Sequence, residues 1–269
     1  MGIVQRAVDL ARSGAPSGEK IYEVVTLDEA ENSGDATVSD NALDAGGVIT
    51  TRRDVATAGG KAVSDTVAIG DEVVNGFSAQ SLEIATIVRL KVPMPYVPGI
   101  PYVVALGLCN HLRKQDQAFG IRWPYDLCYQ DQIVGTIKVT AGYDDGMFVV
   151  VDVVFDSEGI NLACKVIDSK NIEFLVNQLS NVVIESLSKW EQLVLRAKTF
   201  AGPIALVLSD YFDVVPLLGQ QVNKVYPNGT VAQTARFGGV DVWGRAILVD
   251  QNGKEISVSE DEASLVPAS

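Results

Sequence analysis

One histidine, His111, serves the whole chain, so a Ser/His/Asp triad or a Cys/His pair has to be built on it. It lies beside the apolar face that Val104, Leu108 and Leu112, with Ala105 and Cys109, trace at helical spacing; the alternative to catalysis is a boundary histidine with a water or backbone partner. Three cysteines, Cys109, Cys128 and Cys164, are odd in number and never closer than 19 residues, which suits neither a disulfide framework nor a Cys-rich zinc site. Cys164 with Lys165 would supply an acyl-transfer nucleophile and a neighbouring amine, but in a strand consecutive residues face opposite sides. Cys109 and Cys128 read as core or strand cysteines. The cations that could converge on an anionic ligand are Arg52, Arg53, Lys61, Arg122 and Lys138. Gly59 and Gly60, in the small-residue loop Ala56-Thr57-Ala58-Gly59-Gly60-Lys61, allow either close approach of a phosphate or a flexible turn. Between Ile21 and Thr51 stand seven acids and no base (Glu23, Asp28, Glu29, Glu31, Asp35, Asp40, Asp44). Such a run repels phosphates unless a metal intervenes, and reads more simply as a solvated acidic helix face.

The elements that must carry these residues come from a chain of 269 residues, 47% hydrophobic and 20% charged, with mean hydropathy +0.18. That is enough apolar material for one large core or two modest ones. A formal charge of -13 leaves no basic surface for a nucleic-acid backbone. No apolar run approaches the roughly 18 to 20 residues that span a bilayer, and Met1 to Lys20 lacks the apolar core of a signal peptide, so the expectation is a cytoplasmic protein with no membrane partner.

Val4, Ala7, Val8, Leu10 and Ala11 predict a short helix stopped by Gly14 and Pro16. Gly47 to Thr51 and Leu82 to Leu90 read as strands; Pro93, Pro95, Pro98 and Pro101 break the chain before the His111 helix. Met147 to Phe155 is a further strand. A long helix is expected from about Asn171 to Leu195, burying Phe174, Leu175, Leu179, Val182, Val183 and Leu187, and a second from about Pro203 to Phe212. Beyond Val215 short strands alternate with tight turns at Pro227-Asn228-Gly229, Phe237-Gly238-Gly239 and Asp250-Gln251-Asn252-Gly253. This organisation predicts a helical extension (1–20), an α/β domain (21–212) and a small β domain (213–269).

Ile121-Arg122-Trp123-Pro124-Tyr125-Asp126-Leu127, followed by Ile133-Val134-Gly135-Thr136-Ile137 and the strand Phe148 to Val151, resembles the central signature of the biotin protein ligases. In that family a Lys-Trp-Pro-Asn-Asp turn precedes a Leu-Ala-Gly-Ile-Leu strand and a strand ending Gly-Ile-Asn. Ala56 to Gly60 stands where the family carries Gln-Thr-Ala-Gly-Arg-Gly, and Leu217 to Leu265 is similar to its SH3-like cap. The resemblance implies an α/β fold with a central mixed sheet of the biotin/lipoate ligase type and a C-terminal SH3-like β-barrel.

It implies, for activity, attachment of biotin or a related carboxylic acid to a lysine of a biotin-carboxyl-carrier-type protein, through an acyl-adenylate made from ATP with magnesium. Arg122 then takes the place of the family lysine and, with Lys61, carries the catalytic charge; Ala58, Gly59, Gly60, Trp123, Asp126 and Gly135 line the ligand, no protein-bound metal is implied, and a homodimer is expected. Several departures fall on the chemistry. The arginine-rich loop is reduced to Gly59-Gly60-Lys61-Ala62-Val63-Ser64, Tyr125 replaces the motif Asn, and a basic residue is missing between Asp131 and Ile133. The Gly-Ile-Asn strand end falls on Asp152 to Asp156, or alternatively on Gly159-Ile160-Asn161. These losses leave room for two alternatives, a catalytically impaired binding or regulatory module and an acyltransferase of the octanoyl/lipoyl type.

Overall fold

The computed structural model describes residues 2–26, 48–52, 79–169 and 171–268. Its elements are α1 (Ile3–Arg12), β1 (Lys20–Thr26), β2 (Val48–Arg52), β3 (Ala79–Arg89), a 3-10 turn (Met94–Gly99), α2 (Ile100–Arg113), β4 (Phe119–Arg122), β5 (Asp126–Tyr129), β6 (Gln132–Asp144), β7 (Gly146–Asp156), α3 (Ser157–Ile167), α4 (Ile172–Arg196), α5 (Leu208–Phe212), β8 (Gln221–Val225), β9 (Val231–Val240), β10 (Ala246–Val249), β11 (Glu255–Val258) and β12 (Ser264–Pro267). They group into two compact units, Met1–Arg89 with Lys138–Ile184, and Leu90–Ile137 with Glu185–Ser269. Among the described residues no helix is long and apolar enough to cross a membrane.

In the first unit the strands run β2-β1-β3-β7, with the second half of β6 beside β7; β1 pairs with β2 in parallel and every other recorded pairing is antiparallel, so the sheet is mixed. α1 buries Ile3, Ala7, Val8 and Ala11, one helical face, on Ile21, Ala85, Ile87, Phe148 and Val150. It ends where Ser13 donates its hydroxyl to the Leu10 carbonyl and Gly14 turns left-handed at φ +94°. Arg89 then satisfies the last carbonyls, its Nε 2.9 Å from Ala15 O and Nη2 2.7 Å from Ala11 O. On the other face of the sheet Thr86 donates to Ser180 of α4 at 3.2 Å. With both faces covered, β7 is apolar almost throughout rather than alternating.

In the second unit the first half of β6 pairs with β5, and β5 with β4, all antiparallel. α2 packs on this ribbon, burying Val104, Ala105, Leu108, Cys109 and Leu112 as expected. The prolines before it do more than break the chain. Pro98 lies inside the 3-10 turn and Pro101 in the first turn of α2, where a missing N–H costs nothing. Strands β8 to β12 form a separate antiparallel sheet in the order β11-β10-β9-β8-β12.

Several sequence expectations change. Cys164-Lys165 and Gly159-Ile160-Asn161 are helical, in α3, whose first turn is capped by Asp156 accepting from Gly159 N at 2.7 Å; an N-cap side chain at the last position of an apolar strand converts the run to helix. The strand end therefore falls on Asp152 to Asp156. Glu23, read as part of a helix face, lies in β1; the acids from Asp28 to Asp44 lie outside the described residues. The helix expected from Pro203 shrinks to α5, preceded by turns. Phe174 sits in the first turn of α4 and is 44% exposed, while Trp190 and Val194 extend the buried stripe at the other end. Phe237-Gly238-Gly239 is no hairpin turn. Leu248 faces Phe237 and Ile247 faces Gly239, so Gly238 is the extra residue of a bulge in β9.

Candidate functional site

The turn between β4 and β5 is the residue set that most resembles a ligand site, and its strands bring its ends together: Arg122 is the cross-strand partner of Asp126, and Leu127 that of Gly135 in β6. Arg122, Asp126 and Gly135 thus occupy neighbouring positions on three strands of one ribbon, with Trp123 in the turn that joins the first two. Ala58, Gly59, Gly60 and Lys61, together with Arg53, lie outside the described residues.

The turn is held from behind by its own unit. Trp123, joined to Pro124 by a cis peptide bond, is 2% exposed, and its indole N–H donates to the carbonyl of Gly244 at 2.9 Å. The Tyr102 hydroxyl of α2 donates to the same carbonyl at 2.8 Å. Tyr211 of α5 donates to Pro124 O at 2.6 Å. Tyr102 sets its ring edge-on to Tyr125, 5.3 Å between centroids, and to Tyr211, 5.5 Å. Tyr125 in turn hydrogen-bonds the Glu260 carboxylate. Burial pushes Glu260 up, the Tyr125 hydrogen bond opposes this, and Asp261 adds to it. Burial also raises the Tyr125 phenol, with Glu260, Asp126 and Asp261 reinforcing the effect, so three carboxylates gather round this side chain.

Arg122 is half-buried, and its Nη2 donates to the carbonyl of Asp131 at the β5–β6 turn. Its charge is thus engaged on its own ribbon. Beside it opens a cleft of about 300 Å³ lined by Arg113, Phe119, Gln130, Asp131, Asp213 and Pro216 among others. Arg113 spends its guanidinium on the backbone there, donating to Phe119 O at 2.6 Å and Gln117 O at 3.0 Å.

The remaining chemical candidates do not assemble. His111 is half-buried in α2 with its pKa lowered by burial and by Lys114, against Glu185. Burial pushes the Cys109 thiol up to about 12 and those of Cys128 and Cys164 to about 11. A thiol with a pKa of about 11 is thiolate in only about one molecule in 10⁴ at pH 7. Among the described residues no group of three or more His, Cys, Asp or Glu is placed to hold a metal ion.

Tyr102, Tyr211, Gly244 and Glu260 escape a reading of the sequence: the last three meet the turn across more than 75 residues, Tyr102 shares the Gly244 carbonyl 142 positions away, and none carries a local signature beyond the turn-forming Gly244.

No family model matches the sequence, and no curated protein matches it significantly. Solved structures do. The apo biotin protein ligase of Aquifex aeolicus is 15% identical over 71% of this chain and 84% of its own, with a TM-score of 0.51. The same enzyme in complex with biotin and ATP gives 15% identity, 71% and 81% coverage and a TM-score of 0.50. The biotin protein ligase of Leishmania major in complex with biotin spans 95% of this chain and 93% of its own at 12% identity, with a TM-score of 0.44. The two Aquifex comparisons show that this chain has the fold of the biotin protein ligases.

Proposed function

We propose that the protein is a biotin ligase-like module that binds a small carboxylic acid of the biotin class, with acyl-adenylate formation weak or absent. The fold supports the ligand class; the engagement of Arg122 by the Asp131 carbonyl supports the loss of activity. Attack of a carboxylate on an α-phosphate crowds negative oxygens together and needs several fixed donors. Losing one such donor costs about 2.7 to 4 kcal/mol in well-characterised sites. At the turn the described residues set three carboxylates, Asp126, Glu260 and Asp261, around Tyr125, while the guanidiniums of Arg122 and Arg113 are engaged by backbone carbonyls, a donor set that does not fit a triphosphate with its magnesium. No step through ATP is therefore derived.

In this reading Arg122 and Asp126 form the rim of the ligand site, Trp123 is the buried pillar beneath it, and Gly135 keeps the neighbouring strand bare; Ala58 to Lys61 would close it. Residues 213–269 are read as an SH3-like domain that backs the turn through Gly244 and Glu260. A biotin-carboxyl-carrier-type domain is the acceptor that an active form would use, in the cytoplasm, and a homodimer is its expected assembly.

Two measurements test the reading. Biotin should raise the melting temperature of the full chain in proportion to ln(1 + [L]/Kd). Biotin-dependent pyrophosphate release with magnesium-ATP should stay below about 0.1 per second, against a median enzyme near 10 per second. Faster release, abolished by Arg122→Ala, would establish an active ligase instead.

A further inference from the structure

Within the second unit, the cleft of about 300 Å³ lies at the end of the β4–β5 ribbon remote from the Arg122–Asp126 pair, where Phe119 faces Tyr129. Its walls are fixed. Gln130, held left-handed at φ +54°, donates its backbone N–H to Ala118 O at 3.0 Å, and Asp116 accepts from Ala118 N and from the Tyr129 hydroxyl. The segment 213–216 closes on β4: Ile121 donates to Val214 O at 2.7 Å, and Gly120 leaves room for Pro216, whose Cγ would stand 2.6 Å from an added Cβ. A large side chain at positive φ is uncommon, and a cavity kept open between walls tied in this way is preorganised for a ligand.

The lining sorts by chemistry. Phe119, Val214 and Val215 are buried and supply an apolar floor. Arg113 is half-buried; its Nη1 donates to Phe119 O at 2.6 Å and Gln117 O at 3.0 Å, which fixes the guanidinium plane and leaves Nε and Nη2 without an acceptor among the described residues. Asp131 and Asp213 are exposed, and their carboxylates make no hydrogen bond or ion pair among the described residues, with Arg113 or any other. Arg122 meets the backbone carbonyl of Asp131, so at the cleft the guanidiniums of Arg113 and Arg122 balance the carboxylates of Asp131 and Asp213.

We propose that this cleft binds a free α-amino acid with a branched apolar side chain: its carboxylate on the Nε and Nη2 edge of Arg113, its ammonium on Asp131 and Asp213, its side chain on Phe119, Val214 and Val215. A fixed guanidinium edge matches a carboxylate with two parallel hydrogen bonds, and a carboxylate oxygen accepts from an ammonium. An anion alone would meet the two acids and a cation alone the two guanidiniums, whereas a zwitterion places each charge against its opposite. The end of a peptide carries one of the two charges, so the balance selects the free amino acid. Volume sets the size. At roughly 30 Å³ per water-sized group the cleft holds about ten such groups, the scale of leucine. The site stands independently of the ligase reading, since biotin carries no ammonium.

The test uses the full chain with L-leucine as probe, and with isovalerate, 3-methylbutylammonium and glycine as compounds that lack the ammonium, the carboxylate and the side chain in turn. Amide chemical shifts should show saturable binding of leucine at or below about 10 mM, centred on Phe119, Gln130, Asp131 and Val214, with each of the other three at least about tenfold weaker. Biotin should not displace leucine, which keeps failure here distinct from failure of the acid-binding reading. Asp131→Asn combined with Asp213→Asn, at exposed positions whose carboxylates hold nothing in the fold, should weaken leucine at least about tenfold and bring isovalerate level with it. Arg113→Lys keeps the charge but loses the planar fork, and should weaken leucine and isovalerate while leaving 3-methylbutylammonium unchanged. Should that variant not fold, the acid pair carries the test. No saturable binding of leucine in this range, equal binding by any of the three partial compounds, shifts centred elsewhere, displacement by biotin, or unchanged affinity in the acid double variant would each overturn the proposal.

Discussion

Gly244 shows how much a single residue can bear in this fold. Its φ is +89°, which an L side chain rarely adopts, and an added Cβ would stand 2.6 Å from the Tyr102 hydroxyl that its own carbonyl accepts. Gly244→Ala should therefore lower stability by about 2 to 3 kcal/mol through backbone strain and the displaced tyrosine together, read as a fall in thermal midpoint with a change in tryptophan emission. Tyr102→Phe removes one of two donors to that carbonyl and leaves the Trp123 indole in place, so the expected loss is smaller, about 1 kcal/mol by denaturant unfolding. Asp152 acts in the opposite sense. Burial, with Glu83 adding and Lys138 opposing, pushes its folded pKa up to about 7, above the unfolded value of 3.8, so the unfolded chain gives up its proton first as pH rises. The resulting contribution to stability is whole below the unfolded value and is lost as pH rises through the folded one. Wild type compared with Asp152→Asn should thus lose relative stability between about pH 4 and 7 and run parallel above about 8; parallel curves throughout would show that the carboxyl is not perturbed.

Elements were legible where one physical cause decides them. Val4, Ala7, Val8, Leu10 and Ala11 recur at helical spacing whatever they pack on, and α1 formed where that pattern and Gly14 place it, with Ile3 completing the buried face. Its C-terminus depends on something the local pattern does not hold. Arg89, the last residue of β3, reaches back over more than 70 positions to cap it. Arg89→Ala should fray that end, costing about 1 kcal/mol, and amides of Ala11 to Ala15 should exchange faster while those shared by β3 and β7 keep their protection. The misread elements share one cause. Asp156 turns the chain from strand into α3, and Gly238 adds one residue to β9 without ending it; both are local devices whose effect depends on the partner strand or cap they meet.

At the scale of the molecule, charge and burial make two further expectations. With a formal charge of -13 the protein should pass through a heparin or DNA column at about 50 mM salt without retention, since no counterions are released by an acidic surface. All three thiols are buried, so they should react with a disulfide reagent only as the native state opens, and retention of a fast-reacting thiol at neutral pH would contradict their placement. Composition and periodicity by themselves determined the acidic balance, the N-terminal helix, the strands β3 and β7, the His111 helix and the β-rich C-terminal stretch, because each follows from which residues are present or how often an apolar one recurs. The order Arg122-Trp123-Pro124-Tyr125-Asp126 marked the turn as the place to look. Only tertiary structure decided what that turn can do. The Trp123 indole is spent on Gly244, Arg122 on Asp131, and Tyr125 on Glu260, partners up to 135 residues away whose convergence no local spacing encodes. Asp152 divides the same way: its place in an apolar run is plain in the sequence, but its missing hydrogen-bond partner and its acidic neighbour Glu83 on β3 exist only once strands of distant register are laid side by side.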